Sequence, residues 1–154
     1  MSAKPFRYWF EDFAVGMALE IPGPVLTPES IMEFARRYDP QPFHVDEQAA
    51  RQSAYGGLIA SGWHTVSLAM RMICDAYLLD AASLGSPGVN EVRWLKPVRP
   101  GDAIRLRMTV LEAKPSRSKP DRGTVLHRWE VFNQKDETVM TMEGYGMFRR
   151  RSYA

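Results

Sequence analysis

Asp39-Pro40-Gln41-Pro42-Phe43-His44 places a carboxylate and an imidazole on one short segment whose prolines restrict the backbone. A general base must stand within hydrogen-bond reach of the proton it takes, so a stiff loop carrying this pair suits proton transfer. Downstream, Tyr55-Gly56-Gly57-Leu58-Ile59-Ala60-Ser61-Gly62 is a Gly-rich entry into a long apolar pattern of helical period. The start of a helix offers unpaired amides and positive potential, which favour an anion or a developing oxyanion. The two segments together predict a proton-transfer pair close to an anion-friendly helix end.

The elements that must position these groups are legible from periodicity and caps. Thr27 is expected to cap a helix with Pro28 at its first position and Glu29 in its first turn. That helix should stop near Tyr38, because Pro40 disfavours helical geometry at Asp39. Asp46 can cap a short helix from Glu47 to Gln52. From about Leu58 to Leu79, Ile59, Trp63, Val66, Met70, Ile73 and Tyr77 recur at helical steps, with Leu68, Ala69 and Met72 widening the stripe. So broad an apolar surface predicts a helix wrapped on most sides, leaving His64, Ser67, Arg71 and Asp75 as a narrow polar line.

After Gly85-Ser86-Pro87-Gly88 the period changes to two. A strand is expected from Val89 to Val98, then a turn at Pro100-Gly101. Ile104, Leu106, Met108 and Val110 alternate with Arg105, Arg107 and Thr109, as in a strand with one buried and one wet face. Two further strands cover Val125 to Phe132 and Met140 to Phe148, joined by a hairpin connection over Asn133–Glu137, with a polar loop from Lys114 to Arg122. An early strand or two falls within Met17 to Val25. One long helix followed by about four antiparallel strands predicts an α+β fold, a curved sheet wrapped around the helix.

With 154 residues, 45% of them hydrophobic, the chain has enough material for one domain with a substantial core and too little for two, so 1–154 is read as a single domain. No apolar run reaches the length of a membrane span, and Met1–Arg7 lacks the apolar core of a secretory signal, so the expected location is cytoplasmic. The lone Cys74 reads as a buried thiol, which leaves neither a disulfide framework nor a metal cluster to draw. The net charge of +2 is too small for a nucleic-acid binder, despite local clusters such as Arg149-Arg150-Arg151; a small phosphorylated ligand fits it better.

The segment Asp39-Pro40-Gln41-Pro42-Phe43-His44 with Ser61-Gly62 downstream resembles the hydratase motif of the MaoC-like dehydratase family, which includes (R)-specific enoyl-CoA hydratases of hotdog fold. Val92–Asp102 also resembles a strand and turn common in that family, and the likeness runs from about Tyr8 to Phe148. The resemblance implies that Asp39 and His44 hold and activate a water that adds to a trans-2-enoyl thioester, while the Gly62 amide polarises the thioester carbonyl. It implies an acyl-CoA substrate, no separate cofactor and at least a homodimer. Gln41 and Ser61 stand where many relatives carry Asn and His, and both are expected to orient the substrate. Arg93, Lys96 and Arg99 are the cations singled out for the coenzyme A phosphates.

Other readings compete. A hotdog thioesterase commonly carries an acidic residue on the central helix, yet no Asp or Glu occurs between Leu58 and Cys74. A non-catalytic acyl-thioester-binding subunit has no need of both Asp39 and His44. His127 falls on the apolar face of its strand and reads as a core histidine, His64 as a packing or interface group, and the methionines, Met70, Met72, Met108, Met140, Met142 and Met147, as core and pocket lining.

Overall fold

The structure, a computed structural model, describes residues 4–153. Strand β1 (Ala18–Val25) leads to the helices α1 (Pro28–Tyr38), α2 (Pro42–Val45), α3 (Glu47–Gln52) and α4 (Gly62–Ala76), followed by β2 (Val89–Trp94), β3 (Ala103–Pro115), β4 (Arg122–Phe132) and β5 (Thr138–Arg149). The strands form one antiparallel sheet in the order β1-β3-β4-β5-β2. Ala69, Met72 and Ile73 of α4 share a core with Ile104, Leu106, Met108 and Val110 of β3 and with Val131 and Met140 of the next hairpin. The alternation expected for β3 is therefore the one observed. Its polar face stays wet, where Glu20 of β1 bridges Arg105 (3.3 Å) and Arg107 (2.5 Å). Among the described residues no helix is long and apolar enough to cross a membrane.

The caps form as expected. Thr27 Oγ1 accepts the Ser30 N–H at 3.1 Å, and Asp46 Oδ1 accepts from Gln48 (2.8 Å) and Ala49 (3.0 Å). Gly101 takes its turn with φ 88°, and in the hairpin Asn133 Oδ1 accepts from Lys135 and Glu137 while Asp136 sits at φ 59°. Pro42 stands in the first turn of α2, so Phe43 and His44 lie on a helical turn where the sequence suggested a loop.

Three expectations need correction. The helix expected over Leu58–Leu79 is shorter at both ends. Ile59 N–H donates to the Phe43 carbonyl (3.2 Å) and Ala60 N–H to that of Val98 (2.8 Å), so these amides are satisfied across the fold before Ser61 caps α4. At the other end Tyr77 leaves helical geometry with φ −153° and buries its ring. The strand expected over Val89–Val98 ends at Trp94, because the Leu95 and Lys96 amides both turn to the Val139 carbonyl and Pro97 has no N–H. The polar line on α4 is also broken: His64 is buried against Phe34, while Trp63 (57% exposed) and Met70 (43%) face outward.

Candidate active site

Asp39 is the C-cap of α1, and His44 sits on α2 immediately after it. The end of one helix and the start of the next therefore hold the pair. His44 is buried, and its Nδ1–H donates to the Ile59 carbonyl at 2.7 Å. A carbonyl only accepts, so this bond places a proton on Nδ1 and turns Nε2 toward Asp39 Oδ2, 3.2 Å away. Asp39 is further held by Ser61, whose Oγ–H donates to Oδ2 at 2.7 Å, and by Gln41, whose Nε2–H donates to Oδ1 at 2.7 Å. Partial burial pushes the Asp39 carboxyl upward, but the bonds from Ser61 and Gln41 and the His44 charge outweigh it, so the group lies below the usual carboxylate range.

Asp39, His44 and Gly62 line one cavity of about 420 Å³, together with Tyr55, Trp63, Thr65, Trp94, Lys96, Val98 and Val139. Gly62 is the first residue of α4, a position whose amide has no partner inside the helix. The space beside its Cα is not open to a ligand: a Cβ there would lie 2.4 Å from the Trp94 ring. Glycine is required because the indole packs on the backbone, and Trp94 in turn meets Trp63 edge-to-face at 5.2 Å.

The remaining site expectations fall in different places. Gln41 and Ser61, expected to orient substrate, both bond Asp39; Gln41 also lines the cavity, and Ser61 is fully buried. Arg93 lies on β2, engaged with Glu91 at 2.6 Å. Lys96 lines the cavity but is ion-paired with Glu137. Arg99 Nη2 donates to the Tyr55 carbonyl (2.7 Å), which leaves its charge without a carboxylate among the described residues. His64 is stacked on Phe34, and burial holds its ring below the ordinary histidine range. His127 is buried in the core as expected.

Sequence reasoning missed the Ile59 carbonyl, Thr65, Trp94 and Val139. A backbone carbonyl has no side-chain signature, and Val139 reaches the cavity only through strand register. Trp94 had a signal, a large aromatic at the end of an edge strand. Among the described residues no three His, Cys, Asp or Glu side chains gather as a metal site would require.

Comparisons with known proteins identify the family and the fold. The model of the MaoC-like domain matches residues 12–130. A MaoC-like dehydratase from Rhodospirillum rubrum superposes with a TM-score of 0.86 at 40% identity, covering 93% of this chain and 97% of that one. The uncharacterised protein YdeM of Bacillus subtilis is 29% identical over 133 residues, covering 86% of this chain and 93% of its own. Mesaconyl-CoA hydratase of Cereibacter sphaeroides is 40% identical over 67 residues, 44% of this chain and only 19% of that protein. The sheet on its central helix is a hotdog fold, and the chain belongs to the MaoC-like dehydratase family.

Proposed function

We propose that the protein is an enoyl-CoA hydratase, equally a 3-hydroxyacyl-CoA dehydratase, that adds water reversibly across a trans-2-enoyl thioester. The observation that carries this reading is the pairing of Asp39 Oδ2 with His44 Nε2 at 3.2 Å in the cavity that also holds the first amide of α4. A water between the pair and the acyl chain gives up a proton to the pair as its oxygen bonds to C3. The C2=C3 electron pair moves toward the thioester oxygen, where the Gly62 N–H meets the developing charge. A proton returned from the pair to C2 restores the thioester, so the sum is one water added. Coenzyme A is part of the substrate and no further cofactor enters. Arg99, the one of the three candidates Arg93, Lys96 and Arg99 not engaged with a carboxylate among the described residues, is assigned to its phosphates. The MaoC-like family and the partial likeness to a CoA-ester hydratase support the same class.

The active unit is assigned as a homodimer. Edge strand β1 is blunted by Pro22 and Pro24, while edge strand β2 carries no proline. Beside β2, Trp63, Met70, Trp94 and Leu95 expose apolar surface that a second copy would cover. A monomeric mass by light scattering at micromolar concentration would remove this assignment.

The decisive experiment incubates the purified protein with enoyl-CoA esters of varied length and branching, following loss of the conjugated-enoyl absorbance and release of free thiol. Hydration without thiol release is expected. Thiol release alone would replace the reading with a thioesterase, and neither signal across the panel with a non-catalytic subunit.

A further inference from the structure

We propose that Ser61 is a positioning residue: its hydroxyl ties the first turn of α4 to Asp39 and keeps Oδ2 turned toward His44 Nε2, coupling the base to the neighbouring Gly62 amide. This rests on the hydratase reading for its catalytic meaning, but the geometry stands by itself. Ser61 Oγ accepts the Trp63 N–H at 3.3 Å as the cap of α4 and lies 2.7 Å from Asp39 Oδ2. An ionised carboxylate only accepts hydrogen bonds, so the hydroxyl proton must point to Asp39, which orders the chain as amide to hydroxyl to carboxylate. The hydroxyl polarised by a helix amide is the stronger donor for it.

Gln41 holds the other oxygen, Oδ1, at the same distance, but the two donors are not equivalent. Gln41 is exposed on a long side chain, so water replaces its amide when it is lost. Ser61 is fully enclosed on a one-carbon tether, out of contact with bulk water. Losing the Ser61 hydroxyl leaves a partly buried charged oxygen short of a donor. The titratable groups that share the cavity with Asp39 are His44, Tyr55 and Lys96, the last with its partner Glu137; Arg99 stands behind Tyr55.

Ser61→Ala removes the helix cap and the donor together, so it does not separate the roles. Glycine caps a helix nearly as well as serine and has no hydroxyl, whereas threonine keeps both functions. The experiment follows the Asp39 carboxyl and the His44 ring by NMR across pH in wild type, Ser61→Gly, Ser61→Thr and Gln41→Ala, beside a thermal melt of each. Expected is an upward move of the Asp39 titration in Ser61→Gly with the melt nearly unchanged, a smaller move in Gln41→Ala and recovery in Ser61→Thr. Where hydration is measured, Ser61→Gly should lose about 10-fold or more in kcat/KM, with its acid limb displaced upward. An Asp39 titration that does not move in Ser61→Gly, or moves no further than in Gln41→Ala, overturns the proposal. Should Ser61→Thr fail to fold, that comparison alone decides. Absence of hydration in wild type overturns the hydratase reading and leaves the titration result to judge Ser61.

Discussion

Two histidines, both almost wholly buried, mark opposite halves of the long helix. His44, beside the start of α4, has a partner at each ring nitrogen: the Ile59 carbonyl at 2.7 Å and Asp39 at 3.2 Å. His127, on β4, lines a second cavity of about 450 Å³ with Val66, Met70, Ile73 and Met142, and neither nitrogen meets hydrogen-bond geometry, although the Gly144 backbone lies alongside. Its neighbours are rings instead, with Phe13 at 5.8 Å, Tyr77 at 6.1 Å and Trp129 at 4.9 Å. Burial pushes His127 down to about 4, so at neutral pH it is an uncharged aromatic. What separates a candidate proton carrier from a packing group is not depth but whether partners fix the ring's protons and orientation.

The sharpest way to break this contrast is to exchange the losses. His44→Ala and Asp39→Asn are each expected to reduce hydratase turnover by about 10² to 10⁴, the usual contribution of an acid–base group. His127→Phe should leave turnover within a few-fold of wild type. Comparable loss of kcat/KM in all three, with folded far-ultraviolet spectra, would erase the distinction.

Gly62 tests the site half alone. Gly62→Val must push Trp94 off the helix start, so the Gly62 amide and the cavity wall move together. A loss of about 3 kcal/mol in transition-state stabilisation, read as kcat/KM on the best enoyl-CoA, is expected for a misplaced oxyanion donor. Tryptophan fluorescence reports the displacement independently, and unchanged kinetics with a displaced indole would remove the amide from the site.

The core half is tested by acid. An unfolded histidine titrates near 6.5 and the folded His127 near 4, so between those values the unfolded chain binds a proton that the folded one refuses. The stability involved is present above 6.5 and lost as pH falls to about 4, on the order of 3 kcal/mol if His127 acts alone. Chemical denaturation at pH 7 and at pH 4.5 should therefore show a steeper decline in wild type than in His127→Phe. Parallel declines would mean that the ring finds a partner on protonation.

The smallest effect belongs to Arg99 at the Tyr55 turn. Arg99→Ala should raise KM for an acyl-CoA a few-fold with kcat nearly constant, as expected when a partly screened charge contributes under about 1 kcal/mol. A kcat effect equal to the KM effect would move Arg99 into the chemistry.

Much of this arrangement is local and was therefore readable in the chain. Thr27, Asp46 and Pro42 act through bonds or angles within a few residues, and the alternation from Ile104 to Val110 sorts itself into a wet and a dry face in any register that buries it. Asp39 and His44 are neighbours in sequence, so their pairing needed only the two helical turns that hold them. The boundaries were harder. Leu58–Ala60 have helical apolar spacing, but the Ile59 and Ala60 amides are satisfied by Phe43 and Val98, partners that no pattern of period announces.

From its own order of residues the chain determined the strand alternation, the caps and the proximity of the acid to the imidazole, because those depend on short-range sterics and periodicity. Only the tertiary structure decided that Ser61 and Gln41 grip the carboxylate, that Ile59 sets the His44 proton, and that Trp94 occupies the space glycine leaves at the start of α4. Each of these last depends on contacts across packed elements, where direction and distance are set by register and packing rather than by the residue type at any one position.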